Sequence, residues 1–438
     1  MTTTLSVLLL GALVVTACSG LPGFSNRAAD FTPGFRGGVA GDEPRSVIVA
    51  QEILGAGGSA ADAVVAGYFA MSVTLPSAAS LGGGGVCLVT DKTKKKVETL
   101  IFTHDGRSKV VAPANARAMF ALHAKYGQLA WRQLVVPAEG LARFGITVSK
   151  ALASQLAQSR ERIMASPGLR LIFADLDGKL LKAGDKLRQI DLSAVLSSIR
   201  QDPLSVFRGR LAARMAAAYT RAGMPLTAAE IRNTVPRWHP PLSVKRRNQS
   251  AEFPPTPAGV VAAQMWAALF REGLWRSADD DEKSHLMAEV TRRAFADGGR
   301  VFQMPDPVIS AEAGAGFTDD GRIEALMAGF DEKRRIAPSR RAAGQAPPQA
   351  QGSASIVAAD GLGQAVACAF TMNRPMGAAR LVPKTGIVMA AAPDHTGAGV
   401  PALALMLLRA ESQNQLEYMG AATGGGAAPV ALVTTALR

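Results

Sequence analysis

Over residues 45–54 the apolar positions Val47, Ile48, Ala50, Ile53 and Leu54 recur at helical spacing, which predicts a helix. The run Gly55-Ala56-Gly57-Gly58 stops it, and Ser59 can cap a second helix reaching about Val73. Residues 76–80 read as a turn. The glycine run Leu81-Gly82-Gly83-Gly84-Gly85 then leads into two strand-like runs, 86–90 and 97–102, around a lysine-rich turn. From about Pro113 to Ile231 helical stretches alternate with loops and carry little chemistry. Residues 242–244 and the proline-rich 253–259 precede an amphipathic helix expected over 260–270, with another over 282–296. Residues 333–352 break the pattern: they are basic, then rich in Ala, Pro and Gln, and Pro347-Pro348 excludes helix and sheet alike. They read as an exposed connector in which a cut would be tolerated. Beyond it, residues 353–359 and 364–371 are β-type runs joined by Asp360-Gly361-Leu362-Gly363, a hairpin signal. A third β-type run, 386–392, follows, and the chain closes with Thr423-Gly424-Gly425-Gly426 and a last apolar stretch.

The first residues read as an address rather than as part of the fold. Residues 5–15 form an apolar run too short for a membrane-spanning helix of ~20 residues and of the length found in secretory signals. The run ends in Val15-Thr16-Ala17-Cys18, which resembles the lipobox of bacterial lipoproteins. That resemblance implies removal of residues 1–17, lipidation of Cys18 and, with Ser19 next to it, a periplasmic location anchored to outer-membrane lipid. Residues 1–5 lack the usual Lys or Arg, and the plain alternative is an ordinary signal peptide with a chance cysteine. Residues 18–44, rich in Gly, Pro and polar side chains, are expected to be a tether with little regular structure.

The 438 residues are 48% hydrophobic and 19% charged, enough for a large core, and one compact body is expected. With 44 glycines, 25 prolines and 5% aromatics, the chain suits a mixed α/β fold with closely approaching backbones. A net charge of +13 raises the question of a polyanionic partner. The basic residues fall in short clusters, Lys94-Lys95-Lys96, Lys245-Arg246-Arg247 and Lys333-Arg334-Arg335, with no interleaved aromatics to stack on bases. They read as solvated loops, and no nucleic acid is expected. Past Cys18 the cysteines are Cys87 and Cys368, read by default as buried free thiols, although they could pair in an oxidising compartment. No Cys/His spacing suggests zinc, and no metal or cofactor is implied.

Several of these pieces, in this order, are similar to the gamma-glutamyltransferase family. They are the stretch from Leu54 through Gly58-Ser59 to Asp62-Ala63 with the glycine run after it, Val136-Pro137-Ala138-Glu139-Gly140, Leu181-Lys182-Ala183-Gly184-Asp185, Leu226-Thr227 ahead of Pro240-Pro241, and Arg293-Ala294-Phe295-Ala296-Asp297. The likeness runs from about residue 42 to the end. It implies the four-layer αββα fold of the N-terminal-nucleophile hydrolases, within the α/β (α+β) class. A large-subunit region, 45–352, would be cut from a small-subunit region, 353–438. In that family a residue opening a β-strand becomes the nucleophile after self-cleavage, with its own α-amino group as base. The resemblance places that residue at Ser353, where the family generally uses Thr, and the cut between Gly352 and Ser353. Ser355, two residues on and facing the same side of the strand, is the alternative. The resemblance also puts Thr371 in hydrogen-bonding range of the nucleophile, Asn373 on the substrate, and Gly424 and Gly425 in an oxyanion hole.

The departures from the family bear on substrate. Its aspartate that grips the substrate amino group falls at His395, with Asp394 as the neighbouring substitute. Its Ser-Ser pair is replaced around Val400-Pro401-Ala402-Leu403, and its carboxylate-binding arginine corresponds to Arg107 only if the loop bends differently. The family continues for several elements beyond Gly426, so a truncated product or an abbreviated small subunit is expected. The functional expectation is a self-processed hydrolase or acyltransferase acting on gamma-glutamyl compounds such as glutathione or a related amide, its two fragments staying associated. The alternative is a catalytically degenerate family member that serves as an envelope binding lipoprotein.

Overall fold

The structure is a computed structural model that describes residues 37–91, 95–103, 110–304, 306, 308–334, 352–392, 402–413 and 415–437. Cys18, the leader and tether up to residue 36, Arg107, Asp394, His395 and residues 335–351 of the connector lie outside the described residues.

Regular structure begins earlier than the sequence suggested, because strand β1 (Gly37–Gly41) lies within the stretch expected to be irregular. Its glycines hide it from a hydrophobicity pattern, and what makes it a strand is pairing with a distant partner. Helix α1 (Pro44–Gly55) follows, with Pro44 in its first turn and the Glu43 carboxylate accepting from Ser46 N at 2.9 Å. Helix α2 (Ala60–Thr74) opens on a capping box of Ser59 and Asp62 and is buried on all sides. The remaining strands are β2 (Gly84–Asp91), β3 (Lys96–Ile101), β4 (Ile146–Thr147), β5 (Lys186–Leu187), β6 (Arg237–His239), β7 (Leu242–Arg246), β8 (Gln249–Phe253), β9 (Ser353–Asp360), β10 (Ala365–Thr371), β11 (Ala404–Ala410) and β12 (Gln415–Ala422).

Two of the sheets carry the architecture, one ordered β1-β9-β10-β2-β3-β6 and the other β12-β11-β8-β7. The period-two alternation of their strands sorts side chains into three apolar layers. On β10, Val366, Cys368 and Phe370 join the core under α1 and α2, while Ala365, Ala367 and Ala369 face the second sheet together with Val86 and Leu88 of β2. On β11, Leu405 and Leu407 meet the first sheet, while Ala404, Met406 and Leu408 face the helices Pro257–Leu269, Asp280–Asp297 and Ala428–Ala436. The order is therefore helix, sheet, sheet, helix. Phe370, fully buried with its ring centroid 4.5 Å from that of Tyr68, is worth about 1.5–3 kcal/mol in the first layer.

Several expectations need correction. The helix expected over 260–270 starts at Pro257, capped by Thr256, and is buried all round rather than amphipathic, because the second sheet and its neighbouring helices enclose it. The third β-type run, 386–392, is not a strand and makes only the isolated bridges Gly82–Met389 and Leu381–Val388. Residues 76–80, expected as a turn, hold a one-turn helix, Pro76–Ala79, with Pro76 at its start. The final apolar stretch, to which no element was assigned, is also a helix, and β11 and β12 ahead of it went unforeseen. Cys87 and Cys368 are not free thiols: they face each other across β2 and β10 and form a disulfide.

Candidate active site

The hairpin Asp360–Gly363 sets the register of β9 against β10, and that register puts Ser353 opposite Thr371. Both side chains share the face of Val357 and Ala369, towards the second sheet, and both are buried. Ser353 Oγ donates to Thr371 Oγ1 at 2.9 Å. The Asn373 backbone N–H donates to the same oxygen at 2.9 Å, so the hydroxyl accepts twice and its own proton points elsewhere. The available acceptor is Gly352 O, 3.5 Å away, which also receives the Met372 N–H at 2.7 Å. One hydroxyl thus bridges Ser353 and the carbonyl of the peptide bond that precedes it.

The backbone is pressed close around this bond. A Cβ on Gly352 would lie 2.5 Å from Pro375 N and closer still to the Arg374 carbonyl, so no side chain fits there. On the far side of Thr371 its strand partner is Gly84, itself buried. The loop after β10 is strained, with left-handed φ at Asn373 (63°), Met376 (61°) and Ala379 (52°). It is held by Met376 N donating to Ser77 O at 2.9 Å, Arg162 Nη1 to Gly377 O at 2.9 Å and Ser159 Oγ to Pro375 O at 3.1 Å. Asn373 Nδ2 is engaged by Ala391 O at 2.8 Å.

Ser355 sits differently. Its N–H and its hydroxyl both donate to Asp42 Oδ2, at 2.7 and 2.9 Å, and Asp42 N returns a bond to Ser355 O at 3.1 Å. This clasp ties the start of β9 to the end of β1 and occupies the Ser355 hydroxyl. Gly424 and Gly425 follow β12 on the other sheet, at φ 104° and 118° that side chains rarely adopt. Among the described residues neither makes a hydrogen bond to Ser353 or Thr371.

The structure therefore brings together Gly352, Ser353, Thr371 and Asn373, and leaves the glycine pair on a separate element. Sequence reasoning missed the Met372 N–H, Asp42 and the Arg162–Ser159 clamp. A backbone donor has no sequence signal, and Asp42 and Arg162 lie in stretches with no motif around them. Among the described residues no three His, Cys, Asp or Glu side chains are grouped to hold a metal ion.

A family model described as Gamma-glutamyltranspeptidase matches residues 47–105 and 102–403. The chain belongs to the gamma-glutamyltranspeptidase family. It is 28% identical to a glutathione hydrolase proenzyme of Pseudomonas aeruginosa over 81% of its length and 67% of that protein's. It is 27% identical to an acylase ACY 1 proenzyme of Pseudomonas sp. (strain V22) over 83% of its length and 71% of that protein's, and 26% identical to glutathione hydrolase 2 of Arabidopsis thaliana over 81% and 65%. The chain thus spans about two thirds of the length of the curated relatives it matches. Among solved structures, a cephalosporin acylase from Bacillus halodurans superposes with a TM-score of 0.71 at 21% identity, covering 93% of this chain and 80% of that one. The Helicobacter pylori gamma-glutamyltranspeptidase gives 0.61 at 23% identity, covering 67% and 92%. These likenesses establish the fold, that of the family's N-terminal-nucleophile hydrolases.

Proposed function

We propose that this chain is a self-cleaving gamma-glutamyltransferase-type enzyme, hydrolase or acyltransferase, in which Ser353 is the nucleophile. The observation that carries the reading is the Thr371 hydroxyl, which links Ser353 Oγ to the carbonyl of Gly352. In self-cleavage Ser353 Oγ attacks the Gly352 carbonyl carbon and passes its proton to Thr371 Oγ1 as Thr371 hands its own proton to the carbonyl oxygen, which holds it in the tetrahedral adduct. The Met372 N–H, joined by Thr371, supports the charge that develops on the carbonyl oxygen. Collapse breaks the Gly352–Ser353 C–N bond, the amine takes up the relayed proton, and water hydrolyses the resulting ester to a Gly352 carboxylate and a free Ser353. The freed α-amine, of ordinary pKa about 8, then serves as base for Ser353 in turnover.

The substrate reading is a gamma-glutamyl compound such as glutathione, or a related amide. It draws on the names of the relatives, which cover both glutathione hydrolases and an acylase. In turnover the acyl group moves to Ser353 Oγ, with Gly424 and Gly425 as oxyanion donors, and then to water or an amine. Asn373, Asp394 and Arg107 are the residues assigned to substrate. Export and anchoring through Cys18 belong to the same reading.

N-terminal sequencing of the smaller fragment tests the assignment: it should begin at Ser353, and Ser353→Ala should remain one uncut chain while Ser355→Ala is still processed. A wild-type chain that stays whole after purification, or a fragment beginning elsewhere, would refute it. Turnover of a gamma-glutamyl anilide that disappears in Ser353→Ala separates the enzyme from a non-catalytic envelope binding protein.

A further inference from the structure

The first sheet is a composite of two parts of the chain. Its order places the hairpin β9-β10 between β1 and β2, so strands that follow Gly352 are wedged between strands that precede it. Cys87 lies on β2 and Cys368 on β10, directly opposite in the register, 281 residues apart, with both side chains wholly buried beneath the helical layer. The bond therefore crosses the seam that self-cleavage would open. Other contacts cross the same seam without covalence: Asp360 Oδ2 accepts from Ala60 N at 3.1 Å and Gln364 Oε1 from Ala61 N at 2.9 Å, so the hairpin loop caps α2.

We propose that the mature protein is a covalent two-chain molecule in which the Cys87–Cys368 disulfide fastens the fragment beginning at Ser353 to the fragment ending at Gly352. This rests on the self-cleavage reading for the existence of two fragments, but the bond itself does not. The bond is a two-electron oxidation of two thiols, with the thiol–disulfide oxidants of an oxidising compartment as electron acceptor. The export signal read at Cys18 would deliver the chain to such a compartment. Total burial keeps the sulfurs from exchanging with external thiols while the protein is folded. The bond also lies three residues before Thr371 on the same strand, so it pins the strand that positions the Ser353 hydroxyl to β2.

The test uses the full chain exported and purified without reductant, then denatured in excess alkylating agent and run on a denaturing gel with and without reductant. The wild type should migrate as one species of undiminished mass without reductant and as two with it. Cys87→Ala should give two species in both lanes. Two wild-type species without reductant, with both cysteines alkylated, would overturn the proposal. If the wild type runs as one species in both lanes, it is the self-cleavage reading that fails. The disulfide is then judged on a variant with a protease recognition sequence placed between residues 340 and 348 and cut there. A single band without reductant upholds the fastening, and two bands overturn it.

Discussion

Replacing Thr371 with Val removes one hydroxyl and almost nothing else, since the two side chains have nearly the same shape. The structure assigns that hydroxyl two accepted hydrogen bonds, from Ser353 Oγ and from Asn373 N, each at 2.9 Å. Losing the acceptor strands a buried donor at about 1–3 kcal/mol apiece. Asn373 is only half-buried, so its share falls at the low end, and the sum is about 2–4 kcal/mol of folding stability. Self-cleavage should suffer separately, because the route for the Ser353 proton is gone. A positioned acid–base group contributes typically ~10²–10⁴-fold, so a cut completed in minutes would take hours to days. Thr371→Ser keeps the hydroxyl and loses only a methyl group, and should process within about tenfold of the wild type while losing about 1 kcal/mol of stability. The assay is a pulse of synthesis followed by a reducing gel over time, with urea unfolding of the uncut chains alongside. Wild-type processing by Thr371→Val, or equal slowness of the Ser and Val variants, would refute the role given to this oxygen.

Three further outcomes are expected. Gly352→Ala forces a Cβ against the backbone of Arg374 and Pro375, which cannot yield as a side-chain tip would, and a displacement on the order of 1 Å at the scissile carbonyl should slow self-cleavage about a hundredfold. The same gel time course checks it, and unchanged processing would show that the crowding is absent. In the uncut Ser353→Ala chain, adding Cys87→Ala opens a loop closed over 281 residues, for which chain entropy alone gives on the order of 5 kcal/mol. A urea midpoint that does not move would contradict a disulfide at this position. Burial alone would raise the Glu98 carboxyl, but hydrogen bonds from Lys125, Lys96 and Tyr126 outweigh it and bring it down from 4.5 to about 2. Its contribution is therefore present above about pH 4.5 and is lost as the pH falls from there through about 2. The gap in melting temperature between wild type and Glu98→Gln should narrow over that window, and a gap constant down to pH 2.5 would count against the ion-pair cluster.

Much of the fold was legible because its strongest signals are local. Ser59 caps α2 as expected, with Asp62 completing the capping box, and the four residues from Asp360 to Gly363 specify the hairpin that aligns Ser353 with Thr371. What stayed hidden depends on distant partners. β1 is mostly glycine and becomes a strand only against β9, and residues 386–392 have strand-like composition but find only isolated bridges rather than a continuous strand partner. Cys87 and Cys368 looked like ordinary buried thiols until register placed them side by side. The site divides in the same way. Ser353 and Thr371 could be located from a family likeness, whereas the Met372 N–H and the Asp42–Ser355 clasp are products of backbone geometry.

The wedging of β9-β10 between β1 and β2 also sets a clock. The first sheet cannot close until the last part of the chain has arrived, because Gly41 pairs with Ile356 and Thr371 with Gly84. Such pairings over long sequence distance form late in folding. The Thr371 hydroxyl reaches Ser353 only once that pairing is made, so under the proposed self-cleavage a chain that misfolds or stops early would lack the means to cut itself. Scission would then serve as a receipt for completed folding, and the ratio of cut to uncut chains would report, molecule by molecule, how many had reached their native sheet.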